Sequence, residues 1–165
     1  MGKMQVLAGG LVAALMVMVV LAGPARATSS SGTSSSLVGP PATFSPFKVK
    51  RHGDNDWKVD VDAKQGLAIA TQTITFAPGG QSGWHSHPGP VFISVREGTM
   101  TFYEEDCTAT VRTAGEGFLD TGAHAHLARN ESGAPATNVV TYFAPPNTPS
   151  TGLRIDQPQP LNCAL

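Results

Sequence analysis

Four of the five histidines of this chain lie in two short pairs. The first pair is His85 and His87, and the second is His124 and His126. On a β-strand, residues i and i+2 point to the same face, so each pair can present two imidazoles to one space. Neutral imidazole is the commonest protein ligand for transition metals. If the two strands face each other inside a barrel, these pairs predict a single metal site.

The elements that would position these histidines are short strand-like runs, separated by Gly, Pro and Asp turns. Alternating or β-branched patterns predict strands over residues 57–62, 68–76, 90–95, 100–103, 108–111, 118–120 and 137–143. Many short strands at this spacing predict an antiparallel sandwich or barrel. The proline-rich tail from Pro145 onward is expected to lie over the barrel surface.

Residues 1–27 have the pattern of a secretory signal peptide. Lys3 precedes an apolar run, and Ala25 to Ala27 offer the small residues of a cleavage site. An uncleaved membrane anchor is the alternative, but the run is marginal against the ~20 residues needed to cross a bilayer. We therefore expect a secreted protein with no membrane attachment after cleavage.

The remaining chain divides into a tether and one domain. Residues 28–43 are rich in Ser, Gly and Pro and predict a disordered N-terminal linker. Residues 44–165 are long enough for a single domain with one core. The chain has 11 Lys and Arg against 12 Asp and Glu, and the leader contains two of the basic residues and no acid. A mildly acidic chain lacks the excess of basic residues that is typical of nucleic-acid-binding proteins.

The chain contains two cysteines, Cys107 and Cys163. In an exported chain, an even number favours a disulfide, which here would tie the C-terminal tail to the domain. Two free thiols are the alternative. Neither cysteine has the C-x-x-C spacing of a redox or zinc motif.

The first histidine pair belongs to a longer pattern. Gly79 is followed after five residues by His85 and His87, and Gly98 closes the pattern. These positions fit the first signature of the cupin superfamily. That signature has a glutamate where this chain has Val91.

The second pair lies in a pattern that resembles the second cupin signature. Gly115, His126 and Asn130 occupy the expected positions. Thr121 and Ala123 stand where cupins have Pro and Gly. The two signatures occur in the right order and separation, and the resemblance covers roughly residues 65–145.

The resemblance implies an all-β, double-stranded β-helix, or jelly-roll barrel, with a metal inside. It implies that His85, His87 and His126 are metal ligands and that the fourth family ligand is missing at Val91. Three arrangements remain open: three histidines with water or substrate, His124 as a fourth ligand, or a ligand pocket that has lost its metal. Strand parity identifies no further Asp or Glu beside the site.

The histidine set favours zinc, iron, copper or nickel over magnesium and calcium. Three neutral ligands leave a divalent ion its full charge, which favours an anionic small-molecule ligand. Cupins include dioxygenases and isomerases, so a metal-dependent enzyme, most simply an oxidoreductase, is one hypothesis. The alternatives are a non-catalytic module that binds metal or a small ligand, and an inert barrel with vestigial ligands that serves structure or interaction. The resemblance also makes a homodimer a candidate assembly.

Overall fold

The computed structural model describes residues 27–163 and residue 165. The predicted signal peptide, apart from Ala27, lies outside these residues. The described residues form thirteen strands and one short 3-10 helix at Ser150–Gly152. The strands are β1 (Ser31–Leu37), β2 (Ala42–Phe44), β3 (Phe47–His52), β4 (Lys58–Ala63), β5 (Leu67–Gln81), β6 (His85–Ser86), β7 (Val91–Glu97), β8 (Thr99–Glu104), β9 (Ala109–Thr113), β10 (Gly117–Asp120), β11 (His126–Arg129), β12 (Ala136–Ala144) and β13 (Ile155–Asp156).

Eleven of these strands form one antiparallel sheet that curls into a nearly closed barrel. Its path runs β10-β7-β12-β5-β11-β6-β13, and β8 joins through β11. The predicted all-β jelly-roll fold is therefore confirmed. Each of the seven predicted runs overlaps a strand, and three of them begin one residue before it. Within the part of the chain described, no helix is long and apolar enough to cross a membrane.

The barrel interior follows from period-two alternation along β7 and β12. On β7, Val91, Ile93 and Val95 are buried and the residues between them are exposed. On β12, every second residue from Ala136 to Ala144 is buried. Burial of such apolar side chains contributes roughly 1.5–3 kcal/mol each. These inward faces pack together with Phe76, Met100 and Phe102 from neighbouring strands.

The turn between β7 and β8 explains one glycine of the first signature. Gly98 has a φ of +76°, a conformation that L side chains rarely adopt. A Cβ at this position would also lie 2.8 Å from the Pro135 carbonyl oxygen. The turn therefore requires glycine for two separate reasons.

Residues 28–43 differ from the predicted disordered linker. They contain β1 and β2, which both pair antiparallel with the long strand β5. Leu37 is opposite Gln72, and Thr33 is opposite Phe76. The low apolar content misled the prediction because pairing with an existing strand edge relies on backbone hydrogen bonds rather than on a buried face. The segment consequently forms part of the barrel wall.

Strands β3 and β4 form a separate two-stranded sheet beside the barrel. The alternation at 57–62 correctly predicted a strand, but this hairpin is largely exposed, with Trp57 56% and Val49 51% accessible. It contributes no residue to the histidine cluster described below.

Candidate metal centre

Three histidines converge inside one end of the barrel. His85 begins β6, His87 follows that strand, and His126 begins β11 directly opposite His85. Their exposed fractions are only 7%, 7% and 4%. One potential ligand atom from each residue lies within 4.8 Å of the others. The structure therefore brings together the three residues that the cupin resemblance implied as ligands.

Backbone carbonyls hold all three imidazoles by the same ring atom. His85 Nδ1 lies 2.8 Å from the Gly83 oxygen, and His87 Nδ1 lies 2.6 Å from the Leu153 oxygen. His126 Nδ1 lies 3.3 Å from the His124 oxygen. A carbonyl only accepts hydrogen bonds, so each Nδ1 must carry the proton as the donor. Each Nε2 then keeps a lone pair for a metal.

Burial keeps the first histidine pair neutral. Desolvation, followed by the charge of neighbouring His126, lowers the pKa of His85 well below its usual value. Desolvation also lowers the pKa of His87 to about 4, although its contact with Leu153 opposes the shift. Because a metal competes with protons for imidazole, neutral rings at pH 7 are ready to bind it.

Val91 lies beside these rings and is 1% exposed. An apolar side chain thus points inward at the position where the cupin signature has a glutamate. No carboxylate reaches the cluster from this position on β7.

Sequence reasoning missed Asp120, the last residue of β10. Asp120 is 4% exposed, and its Oδ2 lies 3.7 Å from His87 Nε2 and 3.4 Å from His126 Nδ1. Its Oδ1 accepts a hydrogen bond from the Gly122 amide. Its inward direction could have been read from alternation with Phe118. Its proximity to the histidines could not, because that depends on the pairing of β10 with β7.

His124 does not join the cluster, which corrects its place as a candidate fourth ligand. Its side chain is 66% exposed, and its Nδ1 lies 3.2 Å from the Glu105 carboxylate. Residues before β11 form a turn and do not keep the alternation of the strand. Only the His124 carbonyl serves the site, through its contact with His126.

A cavity of about 420 Å³ opens on His85 and His87. Its wall includes His85, His87 and Tyr142, and Arg154 and Asp156 lie on the side of the C-terminal tail. Strand β1 adds hydroxyl groups and one apolar residue: Thr33, Ser35 and Leu37. The cavity is therefore polar, contains one guanidinium, and is large enough for a small organic molecule.

The C-terminal tail takes part in the site. Strand β13 pairs with β6, and the Leu153 carbonyl that orients His87 lies just before it. A disulfide joins Cys107 to Cys163 with a Cα–Cα distance of 5.2 Å. The predicted link between tail and domain is thus present, and the tail covers the barrel where the histidines lie.

The donor set fits a divalent transition metal. Three buried imidazoles, each held at Nδ1 by a backbone carbonyl, suit zinc, iron, copper or nickel, and the adjoining cavity leaves room for a further ligand. The arrangement is compatible with metal binding and does not distinguish among these ions.

Comparison with known proteins agrees with the barrel fold. Residues 72–142 match the family model described as Cupin domain. This match covers less than half of the chain and agrees with the resemblance of the two histidine signatures to cupins. No curated protein matches the sequence significantly.

Solved structures resemble the fold at low sequence identity. The polyketide cyclase RemF from Streptomyces resistomycificus has a TM-score of 0.50 and 15% identity, over 79% of this chain and 75% of that chain. The Cupin_2 domain of an XRE family transcriptional regulator from Enterobacter cloacae has a TM-score of 0.48 and 16% identity, over 71% of this chain and all of that one (100%). At such identities, the likeness to RemF shows the fold alone.

Proposed function

We propose that this protein binds one divalent transition metal ion through His85, His87 and His126. The observation that carries the proposal is the common orientation of the three buried rings, each with Nδ1 held by a backbone carbonyl. Three unrelated backbone segments supply these carbonyls. A purely structural cluster of histidines has no need to keep three Nε2 lone pairs free in one space.

The proposed second ligand is a small anionic molecule in the adjoining cavity. Arg154 lies on the cavity wall, with its Nε 2.7 Å from Asp156 Oδ1. The two terminal guanidinium nitrogens remain available as donors for a carboxylate or phosphate. The hydroxyl groups of β1 could hold polar substituents of the same molecule. A metal ion at the histidines would supply Lewis-acid polarisation, or acidify a bound water.

The chemistry that we favour is a small-molecule metalloenzyme outside the cytoplasm, most simply an oxidoreductase. The disulfide between Cys107 and Cys163 supports export, because such bonds persist in oxidising compartments. A binding module without catalysis would use the same histidines and cavity. A redox-active iron or copper in the purified protein would favour the enzyme, whereas zinc without an exchangeable water would favour the module.

Metal analysis of the purified protein tests the proposal. We expect near one equivalent of a transition metal after expression of the full chain with its own leader. The metal should be lost in H87A and in H126A, because two remaining imidazoles bind a divalent ion weakly. H52A is the matched control, since His52 is exposed on β3 beside Asp60 and far from the cluster in the topology. Full metal retention in the H87A/H126A double variant would overturn the proposed site.

A further inference from the structure

The fold buries a carboxylate oxygen beside the histidines and gives it no hydrogen-bond partner. Oδ1 of Asp120 accepts the Gly122 N–H at 2.9 Å, whereas Oδ2 has no such bond among the described residues. A buried carboxylate oxygen that lacks a hydrogen bond destabilises a fold. A cation placed next to Oδ2 would remove this cost.

The position of Oδ2 is close to that of a metal ligand. It lies 3.7 Å from Nε2 of His87, the ring nitrogen that is free to bind an ion. Two ligand atoms bound tetrahedrally at about 2.1 Å from one ion are separated by about 3.4 Å. Asp120 is not among the residues whose ligand atoms lie within 4.8 Å of one another, so its side chain must rotate towards Nε2 of His87 for the two residues to share one metal.

Strand pairing explains how this carboxylate reaches the site. Strand β10 runs antiparallel to β7, and Asp120 is directly opposite Val91. Val91 is the position at which the cupin resemblance places the family's glutamate. A carboxylate thus approaches the histidines from the neighbouring strand, at the level where the glutamate is missing.

We propose that Asp120 is a fourth protein ligand of the metal and binds it through Oδ2. The inference rests on the proposed metal site, and it changes the chemistry of that site. Three neutral histidines would leave a divalent ion with a net charge of two, whereas Asp120 reduces this charge to one. The anionic ligand in the cavity would then depend more on Arg154 and less on the ion.

The first test compares metal binding by the wild-type chain and D120N. Asparagine keeps the shape of the side chain and can still accept the Gly122 hydrogen bond. We expect the Kd for Zn²⁺, measured by competition with a chelating dye, to rise at least about 10-fold. The visible absorption spectrum of bound Co²⁺ should also change, because its ligand set has changed. E105Q is the control, since Glu105 is exposed and its carboxylate lies beside the exposed His124 ring, outside the cluster.

Exchange of the two opposite positions tests the geometry directly. In the double variant V91E/D120N, the carboxylate returns to the family's position, and we expect tighter Zn²⁺ binding than in D120N. Since Val91 is buried, circular dichroism must first show that this variant folds. If this variant does not fold, the Kd and Co²⁺ spectrum of D120N alone decide whether Asp120 is a ligand.

Three outcomes would overturn the inference. A Kd for D120N within twofold of the wild-type value would show that Asp120 is not needed. A higher Kd with an unchanged Co²⁺ spectrum would mean that Asp120 does not bind the metal and only positions His126 through the Nδ1 atom of that ring. Failure of the wild-type chain to bind any metal is a distinct result, which would remove the proposed function and this inference together.

Discussion

At the residue scale, the backbone determines how the three histidines can react. Each imidazole is fixed by a carbonyl, so the protonation state of Nδ1 is set by the fold and not by the ring alone. In His85 and His87, burial lowers the pKa and so disfavours a second proton on the ring. These two rings therefore stay neutral and able to bind a metal at pH values where an exposed histidine would already be charged.

The lowered pKa of His87 predicts a stability change in the metal-free protein. Above about pH 6.5, His87 is neutral in both the folded and unfolded states. As the pH falls from 6.5 towards 4, the unfolded chain binds the proton and the folded chain does not, so stability is lost. This residue should account for a fall of about 3 kcal/mol in the free energy of unfolding.

Urea denaturation of the metal-free protein at several pH values measures this effect. H87Q should show a shallower loss of stability between pH 6.5 and 4, since its side chain does not titrate. H52Q, which removes an exposed histidine, should follow the wild-type curve. Identical pH profiles for H87Q and the wild-type chain would contradict the assignment to His87.

At the scale of elements, the C-terminal tail connects a covalent bond to the metal site. The disulfide holds Cys163 against the turn after β8. Strand β13, which precedes Cys163 in the tail, pairs with β6. Gln157 reinforces this attachment, because its amide bonds to the Trp84 carbonyl and its side chain bonds to Ser86. The carbonyl of Leu153 is thereby kept in place against His87.

Removal of the disulfide should therefore weaken both the fold and the metal site. For a pair separated by 56 residues, the C107S/C163S variant should lose about 4 kcal/mol of unfolding free energy by the chain-entropy model. Its Kd for Zn²⁺ should also rise, because the tail would no longer hold Leu153 firmly. Denaturant titration and dye competition measure the two effects.

L161A is the control for this variant, since Leu161 lies in the same tail with a fully exposed side chain. It should leave both the stability and the Kd near their wild-type values. An unchanged Kd in a destabilised C107S/C163S variant would mean that the disulfide does not support the metal site.

The elements also show how far the sequence could predict this molecule. The strand-like runs predicted an antiparallel sandwich or barrel. The resemblance to the two cupin signatures then selected three candidate ligands from the four paired histidines. Strand β1 was missed because its serine-rich sequence shows no alternation of apolar and polar residues, although its backbone pairs with β5. Asp120 was missed because its role depends on which residue lies opposite it on β7. Pairing across strands is a non-local property that one-strand patterns do not contain.

At the scale of the whole molecule, the candidate ligands tie together distant parts of the chain. His85 lies on β6, Asp120 ends β10, and His126 begins β11. The C-terminal tail is a fourth segment at the site, because the Leu153 carbonyl contacts Nδ1 of His87. An ion at this point would bind the folded barrel and not the unfolded chain, so binding and folding are thermodynamically linked.

This linkage predicts that metal raises the stability of the entire domain. At a free Zn²⁺ concentration of 100 times the measured Kd, the free energy of unfolding should increase by about 2.7 kcal/mol. Tm should rise with metal concentration and return to its original value after chelation, as followed by calorimetry. H126A should show almost no rise, whereas H52A should behave like the wild-type chain. Equal stabilisation of H126A and the wild-type chain would mean that the ion binds elsewhere on the molecule, since the proposed site requires His126 at the junction of β6 and β11.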